Sequence, residues 1–170
     1  MPGKVLIIDT SILCCWLNIP GKETAGPRDD QWDQKRVETT INAEEKNGST
    51  FVLPIASLIE TGNHIAQING NRYDTAVIFA KYIRKTANAE TPWAAFTEQS
   101  PLWETENLLR LSDTWPDLAA TKLSIGDATI KDVAEYYASA GFNVEILTGD
   151  QGLKSYTPRN PPKSPRRRGG

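Results

Sequence analysis

Four acidic residues, Asp9, Glu60, Asp127 and Asp150, stand at points in the sequence from which their side chains can reach one pocket. Asp9 directly follows an apolar run, and Asp150 follows another by way of a Thr-Gly turn. Asp127 opens a helical pattern, and Glu60 comes two helical turns after a third apolar run. Because the ends of parallel strands and the starts of the following helices share one edge of an α/β sheet, we expect the four acids to converge there.

Clustered carboxylates predict a cation-binding site. Two like charges about 4 Å apart repel by roughly 4 kcal/mol at an effective dielectric constant near 20, so the cluster needs a cation or protons to neutralise it. Oxygen-only ligands suit Mg²⁺ or Mn²⁺, which bridge to substrate phosphates. Such ions stabilise the attacking and leaving oxygens of an in-line displacement. The chemistry predicted is therefore hydrolysis of a phosphodiester by a metal-activated water.

Taken singly, three of the acids have structural explanations. The negative charge of Asp127 could be stabilised by the positive end of its own helix dipole. Asp150 lies in a turn-like stretch, Thr-Gly-Asp-Gln-Gly, and Glu60 could be an exposed helix residue. Asp9 is harder to explain in this way, because a charge directly after a buried strand is a poor choice for packing. The functional interpretation therefore depends on the four acids as a set.

The elements that must position these acids follow an alternating pattern. Strands are predicted at 5–8, 50–53 and 143–148, since each is a short run rich in apolar and β-branched residues. Helices are predicted at 12–17 (capped by Thr10 or Ser11), 32–46, 54–65, 73–86, 102–111, 118–122 and 127–140, with loops at 18–30 and 87–101 and a turn at 115–116. This alternation predicts an α/β fold with a parallel sheet.

Composition narrows the class of protein further. The 170 residues are 39% apolar, enough for one domain with a core, and contain neither an apolar run of about 18 residues nor a secretory signal. Cys14 and Cys15 are adjacent and cannot form an ordinary disulfide with each other, so we expect a cytoplasmic protein without a membrane partner. Residues 1–150 contain all 21 acids but only 13 of the 19 lysines and arginines, a net charge of −8. The basic remainder either touches phosphates or serves solubility.

The ordered set of motifs resembles a PIN domain. The motifs are Asp9-Thr-Ser, Glu60, Asp127-Ala-x-Ile and Thr148-Gly-Asp150, and the resemblance covers most of residues 4–155. It implies a PIN-like three-layer α/β/α fold with a central parallel sheet, and cleavage of RNA with Mg²⁺ or Mn²⁺ as cofactor. It also implies that Asp9, Glu60, Asp127 and Asp150 are the catalytic and metal-binding residues, supported by the hydroxyls of Thr10, Ser11 and Thr148.

Within that family the chain is most similar to VapC-type toxins of toxin–antitoxin pairs. We expect a PIN-like nuclease domain at 1–156 and a disordered basic tail at 157–170, with an RNA substrate, an antitoxin protein and a homodimer as candidate partners. The chain is longer than the usual toxin through the 19–33 loop, the 87–122 region and the tail. These departures bear on the toxin role more than on the nuclease role.

Several other residues have two interpretations each. Lys81, Arg84 and Lys85 surround Tyr82 and are candidate RNA contacts, or else an exposed helix face. The remaining interpretations are packing or a pocket edge for His64, a solvated position for Asp132, core packing for Cys14 and Cys15, and either RNA binding or no role for Arg166–Arg168.

Two alternative functions remain open. One is a non-catalytic RNA- or partner-binding module that keeps the fold. The other is a phosphatase of the haloacid dehalogenase type with Asp9 as nucleophile, which is less favoured because Ser11 stands where that family has a second acid. A dinucleotide-binding enzyme is disfavoured because no Gly-x-Gly-x-x-Gly motif follows the first strand.

Overall fold

A parallel sheet of three strands forms the centre of the protein in a computed structural model that describes residues 3–159. The strands are β1 (Lys4–Ile8), β2 (Thr50–Val52) and β3 (Asn143–Leu147), in the order β2-β1-β3. β1 pairs in parallel with both neighbours. The predicted α/β class with a parallel sheet is therefore confirmed.

Helices connect the strands and surround them. Their bounds are α1 (Thr10–Trp16), α2 (Gln34–Lys46), α3 (Ile55–Ala66), α4 (Arg72–Ala87), α5 (Thr105–Ala120), α6 (Ile125–Ser139) and α7 (Gln151–Lys154), with 3-10 segments at Arg28–Asp30 and Phe96–Trp103. Within residues 3–159, no helix is both long and apolar enough to cross a membrane.

The predicted turn at 115–116 is wrong, because α5 continues through Pro116 to Ala120. Proline removes only one N–H from a helix, and tertiary contacts can offset that loss. The indole nitrogen of Trp115 donates a hydrogen bond to the carbonyl of Leu123 at 3.1 Å, which ties this part of α5 to the chain just before α6. Residues 105–111 and 118–120 of the two predicted helices are therefore parts of one helix, whereas 102–103 end the preceding 3-10 segment and 121–122 form a turn.

Apolar side chains cover both faces of the sheet. Leu6 and Ile8 belong to a cluster with residues of α1 and α2, whereas Val5 and Ile7 belong to a cluster with residues of α6. Successive side chains of a strand point to opposite faces, so β1 contributes alternately to the two clusters. All four of these residues are at most 1% exposed, which confirms the predicted strand buried on both faces.

The segment after α4 extends the sheet beyond β2. Phe51 donates its N–H to the carbonyl of Pro92 at 2.8 Å and accepts from the N–H of Ala94 at 2.9 Å. Nearby, the buried side chain of Gln99 donates to the carbonyl of Leu53 at 2.8 Å and accepts from the N–H of Ile55 at 3.2 Å. These contacts fix the direction in which the chain leaves β2 and enters α3.

The C-terminal end of the chain is described only in part. Residues 157–159 form neither helix nor strand. The rest of the predicted basic tail, including Arg166–Arg168, lies outside the described residues.

Candidate active site at the carboxyl edge of the sheet

Asp9 ends β1 and caps α1. Its Oδ2 accepts hydrogen bonds from the hydroxyls of Ser11 and Thr148, both at 2.7 Å, and from the N–H of Ser11 at 3.4 Å. The expectation that Thr10 or Ser11 caps this helix is therefore wrong: Asp9 is the residue with extended backbone, and the helix begins at Thr10. The carboxylate is buried and fixed between β1 and the turn after β3.

The turn after β3 carries Asp150 to the same edge. The hydroxyl of Thr148 accepts from the N–H of Asp150 at 2.9 Å, and the N–H of Gly149 donates to Ser11 Oγ at 3.0 Å. Asp150 is exposed, and its Oδ1 accepts from the N–H groups of Gly152 and Leu153, which begin α7. A chain of hydroxyl contacts therefore links Asp9 to the backbone of Asp150.

Glu60 lies between the starts of α1 and α6. Its Oε2 accepts from the Thr10 hydroxyl at 2.9 Å. Its Oε1 is so close to Gly126 that a Cβ at that position would lie 2.6 Å from it. The sequence interpretation missed this close approach of Gly126 to Glu60. The available signal was a glycine in the first turn of a helix, where it costs stability relative to alanine.

Asp127 lies in the first turn of α6, which Ser124 caps by accepting the Asp127 N–H at 3.0 Å. Burial, followed by the charges of Asp9, Asp150 and Glu60, raises the pKa of Asp127 to about 6, although the Ser124 hydroxyl opposes the shift. Asp127 directly follows Gly126, which lies against Glu60, and Glu60 contacts Thr10 next to Asp9. The structure thus brings the four predicted residues to one edge of the sheet, with Asp9 most buried and Asp150 exposed.

The negative charge at this edge has no basic partner in the described chain. Five ion pairs occur within residues 3–159, and none of them includes Asp9, Glu60, Asp127 or Asp150. Among the same residues, no three His, Cys, Asp or Glu side chains lie close enough together to ligate one ion directly. The oxygen-only donors nevertheless fit Mg²⁺ or Mn²⁺, because ions of this kind keep several waters and need few direct carboxylates.

The loop at 18–33 packs against the turn that carries Asp150. Ala25 and Trp32 exchange two backbone hydrogen bonds, at 3.1 and 2.7 Å. Gly26, with φ of +90°, lies against Gly149 so closely that a Cβ on Gly149 would be 2.7 Å from that of Ala25. The 18–33 loop therefore forms one side of the site, which the sequence interpretation did not anticipate.

The basic residues predicted to contact RNA lie on α4. Lys81, Arg84 and Lys85 are exposed, whereas Tyr82 packs against Trp16 with ring centroids 4.4 Å apart. Trp16 ends α1, the helix whose first residue contacts Glu60. Tyr82 is thus engaged in packing, and the RNA contacts of the three basic residues stay a prediction.

Four other residues differ in outcome. Asp132 was predicted to be solvated, which is wrong: it is half-buried, and burial raises its pKa. Cys14 and Cys15 are free thiols in the core, as predicted. Burial raises the pKa of Cys14 to about 12, so its thiol is unreactive at neutral pH. His64 lies half-buried at the edge of a groove beside the acids.

No family model, curated protein or solved structure matches the chain. The functional assignment therefore depends on the geometry and charge of the site.

Proposed function

We propose that the protein is a Mg²⁺- or Mn²⁺-dependent endoribonuclease with a PIN-like three-layer α/β/α fold. The observation that carries this proposal is the uncompensated charge of Asp9, Glu60, Asp127 and Asp150 at one edge of the sheet. Four carboxylates that form no ion pair within residues 3–159 are costly, and a divalent cation would offset that cost. A phosphodiester is the substrate that such an ion polarises most usefully.

Some residues of the site are available to bind an ion, and others orient them. Asp9 and Glu60 each use one carboxylate oxygen for a hydroxyl of the protein, so the other oxygen is available to an ion. Thr10, Ser11 and Thr148 hold these carboxylates in one orientation, which pre-organises the site. Bound Mg²⁺ or Mn²⁺ supplies Lewis acidity, activating water for attack and neutralising charge on the phosphate oxygens.

The proposal extends to the role of a cytoplasmic toxin in a toxin–antitoxin pair. Its support is the order of the four motifs and an exposed apolar surface suited to an antitoxin or a second copy of the chain. That surface includes Ile59 on α3 and Tyr73 and Ile78 on α4, which are 53%, 78% and 46% exposed. Large exposed apolar side chains on these two helices are candidate contacts for such a partner.

A second candidate, a non-catalytic RNA- or partner-binding module, is favoured by one observation. Within the described chain no three acidic, histidine or cysteine side chains are arranged to ligate an ion directly. In this alternative the acid cluster would bind a cation weakly and the protein would hold RNA without cutting it.

A cleavage assay distinguishes the two functions. Purified full-length protein is incubated with structured and single-stranded RNAs in Mg²⁺, Mn²⁺ or EDTA. We expect metal-dependent cleavage that falls at least 100-fold in Asp9→Asn and in Asp150→Asn, since each removes a charge from the cluster. The matched control is Asp74→Asn, an exposed acid in the first turn of α4, which should cut at the wild-type rate.

Cleavage that persists undiminished in both Asp9→Asn and Asp150→Asn would contradict the nuclease proposal. Metal-independent RNA binding with no cleavage of any RNA would favour the non-catalytic module instead.

A further inference from the structure

A groove of about 310 Å³ lies beside the acid cluster, and the nuclease proposal assigns it no role. Thr10 and Ser11, which hold Glu60 and Asp9, line one part of it. Lys22 from the 18–33 loop and His64 from α3 line the rest, with Thr24 beside them. The groove therefore joins the acidic edge to a side chain of opposite charge.

Lys22 supplies positive charge to this groove. Cys14 and His64 also line the groove. Burial lowers the pKa of His64, and the charge of Lys22 lowers it further. Burial raises the pKa of Cys14, and the charge of Lys22 opposes that rise. No carboxylate within residues 3–159 forms an ion pair with Lys22. The neighbouring Glu23 accepts a hydrogen bond from the N–H of Gly21 at 2.9 Å, within its own turn.

The loop holds Lys22 in a defined position. The N–H of Lys22 donates to the carbonyl of Ile19 at 2.8 Å, and the Ile19 side chain is buried in the core. Further along, the hydrogen bonds between Ala25 and Trp32 close the loop, and Trp32 is itself buried. A cation fixed on a closed loop loses less conformational entropy on binding than one on a free segment.

His64 adds a hydrogen-bond donor without adding charge. Burial and the charge of Lys22 lower the pKa of His64, while Glu60 raises it, and the net direction is downward from 6.5. The imidazole is therefore neutral at pH 8 and can donate one N–H. The hydroxyls of Thr10 and Ser11 already donate to Glu60 and Asp9. The donors left in the groove are therefore the Lys22 ammonium, the His64 N–H and the Thr24 hydroxyl, a set that recognises a singly charged phosphate group.

We propose that this groove binds a backbone phosphate of single-stranded RNA next to the phosphodiester that is cut, with Lys22 as the charged contact and His64 as a neutral donor. That the phosphodiester next to the bound phosphate is cut rests on the proposed nuclease function. The groove positions the strand, so that the adjacent phosphodiester lies over the acids. Neither Lys22 nor His64 takes part in bond cleavage.

The test separates charge from hydrogen bonding through the salt dependence of binding. A fluorescein-labelled single-stranded hexaribonucleotide is titrated with full-length protein in the Asp9→Asn background, at pH 8 with Mg²⁺ and several salt concentrations. Each phosphate contact by a cation contributes about 0.7 to the slope of log K against log salt for single strands. Fluorescence anisotropy then reports both the affinity and this slope.

The expected results differ for the two residues. Lys22→Ala should weaken binding about 10-fold and reduce the slope by about 0.7, and Lys22→Arg should retain both values. His64→Ala should weaken binding about 3- to 10-fold with an unchanged slope, because a neutral donor releases no counterion. Melting curves establish that each variant folds.

Matched controls come from the same chain. Lys46→Ala removes an exposed lysine at the end of α2, just before β2 and so at the opposite edge of the sheet, and Asn63→Ala removes an exposed polar side chain beside His64. Both should bind like the parent. Lys22→Ala with the affinity and slope of Lys46→Ala would overturn the proposal.

Cleavage by the same variants without Asp9→Asn separates this inference from the proposed function. If the wild-type protein cuts RNA and Lys22→Ala has an unchanged KM, the phosphate-binding groove is contradicted and the nuclease proposal stands. If the wild-type protein cuts no RNA but Lys22→Ala binds the oligonucleotide more weakly than its parent, the phosphate site stands and the nuclease proposal is contradicted.

Discussion

Acidic residues lie near both ends of β1, but their surroundings differ. At the amino end, Lys4 Nζ lies 2.6 Å from Glu44 Oε1 and 2.9 Å from Glu145 Oε2, and Ser49 donates to Glu44 Oε2 at 2.6 Å. At the carboxyl end, Asp9 shares the sheet edge with three more acids, none of which has an ion-pair partner in the part of the chain described.

The pKa values move in opposite directions at the two ends. Burial alone would raise the pKa of Glu44, but hydrogen bonds from Lys4 and Ser49 outweigh it and the pKa falls below the usual value. At the other end, burial and the neighbouring charges act together and raise the pKa of Asp127 to about 6. At the amino end Lys4 offsets part of the acidic charge, whereas within residues 3–159 no ion pair offsets the charge of the four acids at the carboxyl end. The acids at the two ends thus differ in whether a basic side chain in the described residues pairs with them.

Among substitutions that leave the four acids in place, Gly126→Ala is expected to have the largest effect, and it disturbs the carboxyl end alone. The added Cβ would lie 2.6 Å from Glu60 Oε1, so the Glu60 side chain must move away from its position between α1 and α6. We expect RNA cleavage to fall about 100-fold, since a displacement of about 1 Å at a reacting site has effects of that size. Single-turnover cleavage measures the rate, and urea denaturation the stability.

Gly62→Ala is the matched control for that substitution. Gly62 lies inside α3, and nothing lies within 4 Å of the Cβ it would gain. The variant should cut RNA normally and gain roughly 0.5–1 kcal/mol in free energy of unfolding, because alanine favours helices over glycine. Equal activity of Gly126→Ala and Gly62→Ala would show that the position of Glu60 is unimportant.

Asp127→Asn should stabilise the metal-free protein at pH 8. A pKa raised from 3.8 to about 6 means that the ionised side chain is unfavourable in the folded state by up to about 3 kcal/mol, and partial exposure reduces this to about 1–3 kcal/mol. As the pH falls through 6 towards 4, folded wild-type protein takes up the proton and the difference between the variants disappears. Urea denaturation in EDTA at pH 8, 6 and 4 measures this.

The control for Asp127→Asn is Asp74→Asn, which removes an exposed acid from the first turn of α4 and should change stability by less than about 0.5 kcal/mol. A metal-free Asp127→Asn protein that is less stable than wild type at pH 8 would contradict the description of the carboxyl edge as a repulsive cluster.

Lys4→Met should lower the free energy of unfolding, whereas Asp127→Asn raises it, and the change should be smaller. It leaves Glu44 partly buried without its cation, so we expect a loss of about 1–2 kcal/mol in the free energy of unfolding at pH 7. Since the pKa of Glu44 is lowered in the folded state, this contribution is present above pH 4.5 and is lost as the pH falls further. Urea denaturation at pH 7 and pH 3 checks both values.

Lys131→Met provides the comparison, because Lys131 pairs with the exposed Glu135 one turn along α6. Such pairs contribute about 0.3–0.5 kcal/mol. If Lys4→Met proved as mild as Lys131→Met, neutralisation at the amino end would not contribute measurably to the fold.

Sequence patterns predicted the parts of this architecture that depend on local periodicity. The apolar run ending at Asp9 is a strand, and Asp127 lies in the first turn of a helix, as the spacing of the apolar residues indicates. The parallel order of the strands then places Asp9 and Asp150 at the same edge. These features follow from residue types over short windows, which is why they could be read without coordinates.

Contacts between distant segments could not be predicted in this way. The bridge by Gln99 between Leu53 and Ile55 spans more than forty residues, and the approach of Gly26 to Gly149 spans more than a hundred. Lys22 lines the groove with Thr10 and Ser11 because the loop closes at Ala25 and Trp32. A glycine or glutamine gives no local sign of such partners.

Mn²⁺ binding to the full-length chain tests the central claim most directly, because it asks whether the uncompensated edge takes up a cation. The loss of the free Mn²⁺ electron paramagnetic resonance signal at pH 8 measures affinity. We expect wild-type protein to bind, Asp9→Asn and Asp150→Asn each to lose at least 10-fold in affinity, and Glu44→Gln at the amino end to bind like wild type. Binding that is unchanged in both Asp9→Asn and Asp150→Asn, or absent from wild-type protein, would contradict the account.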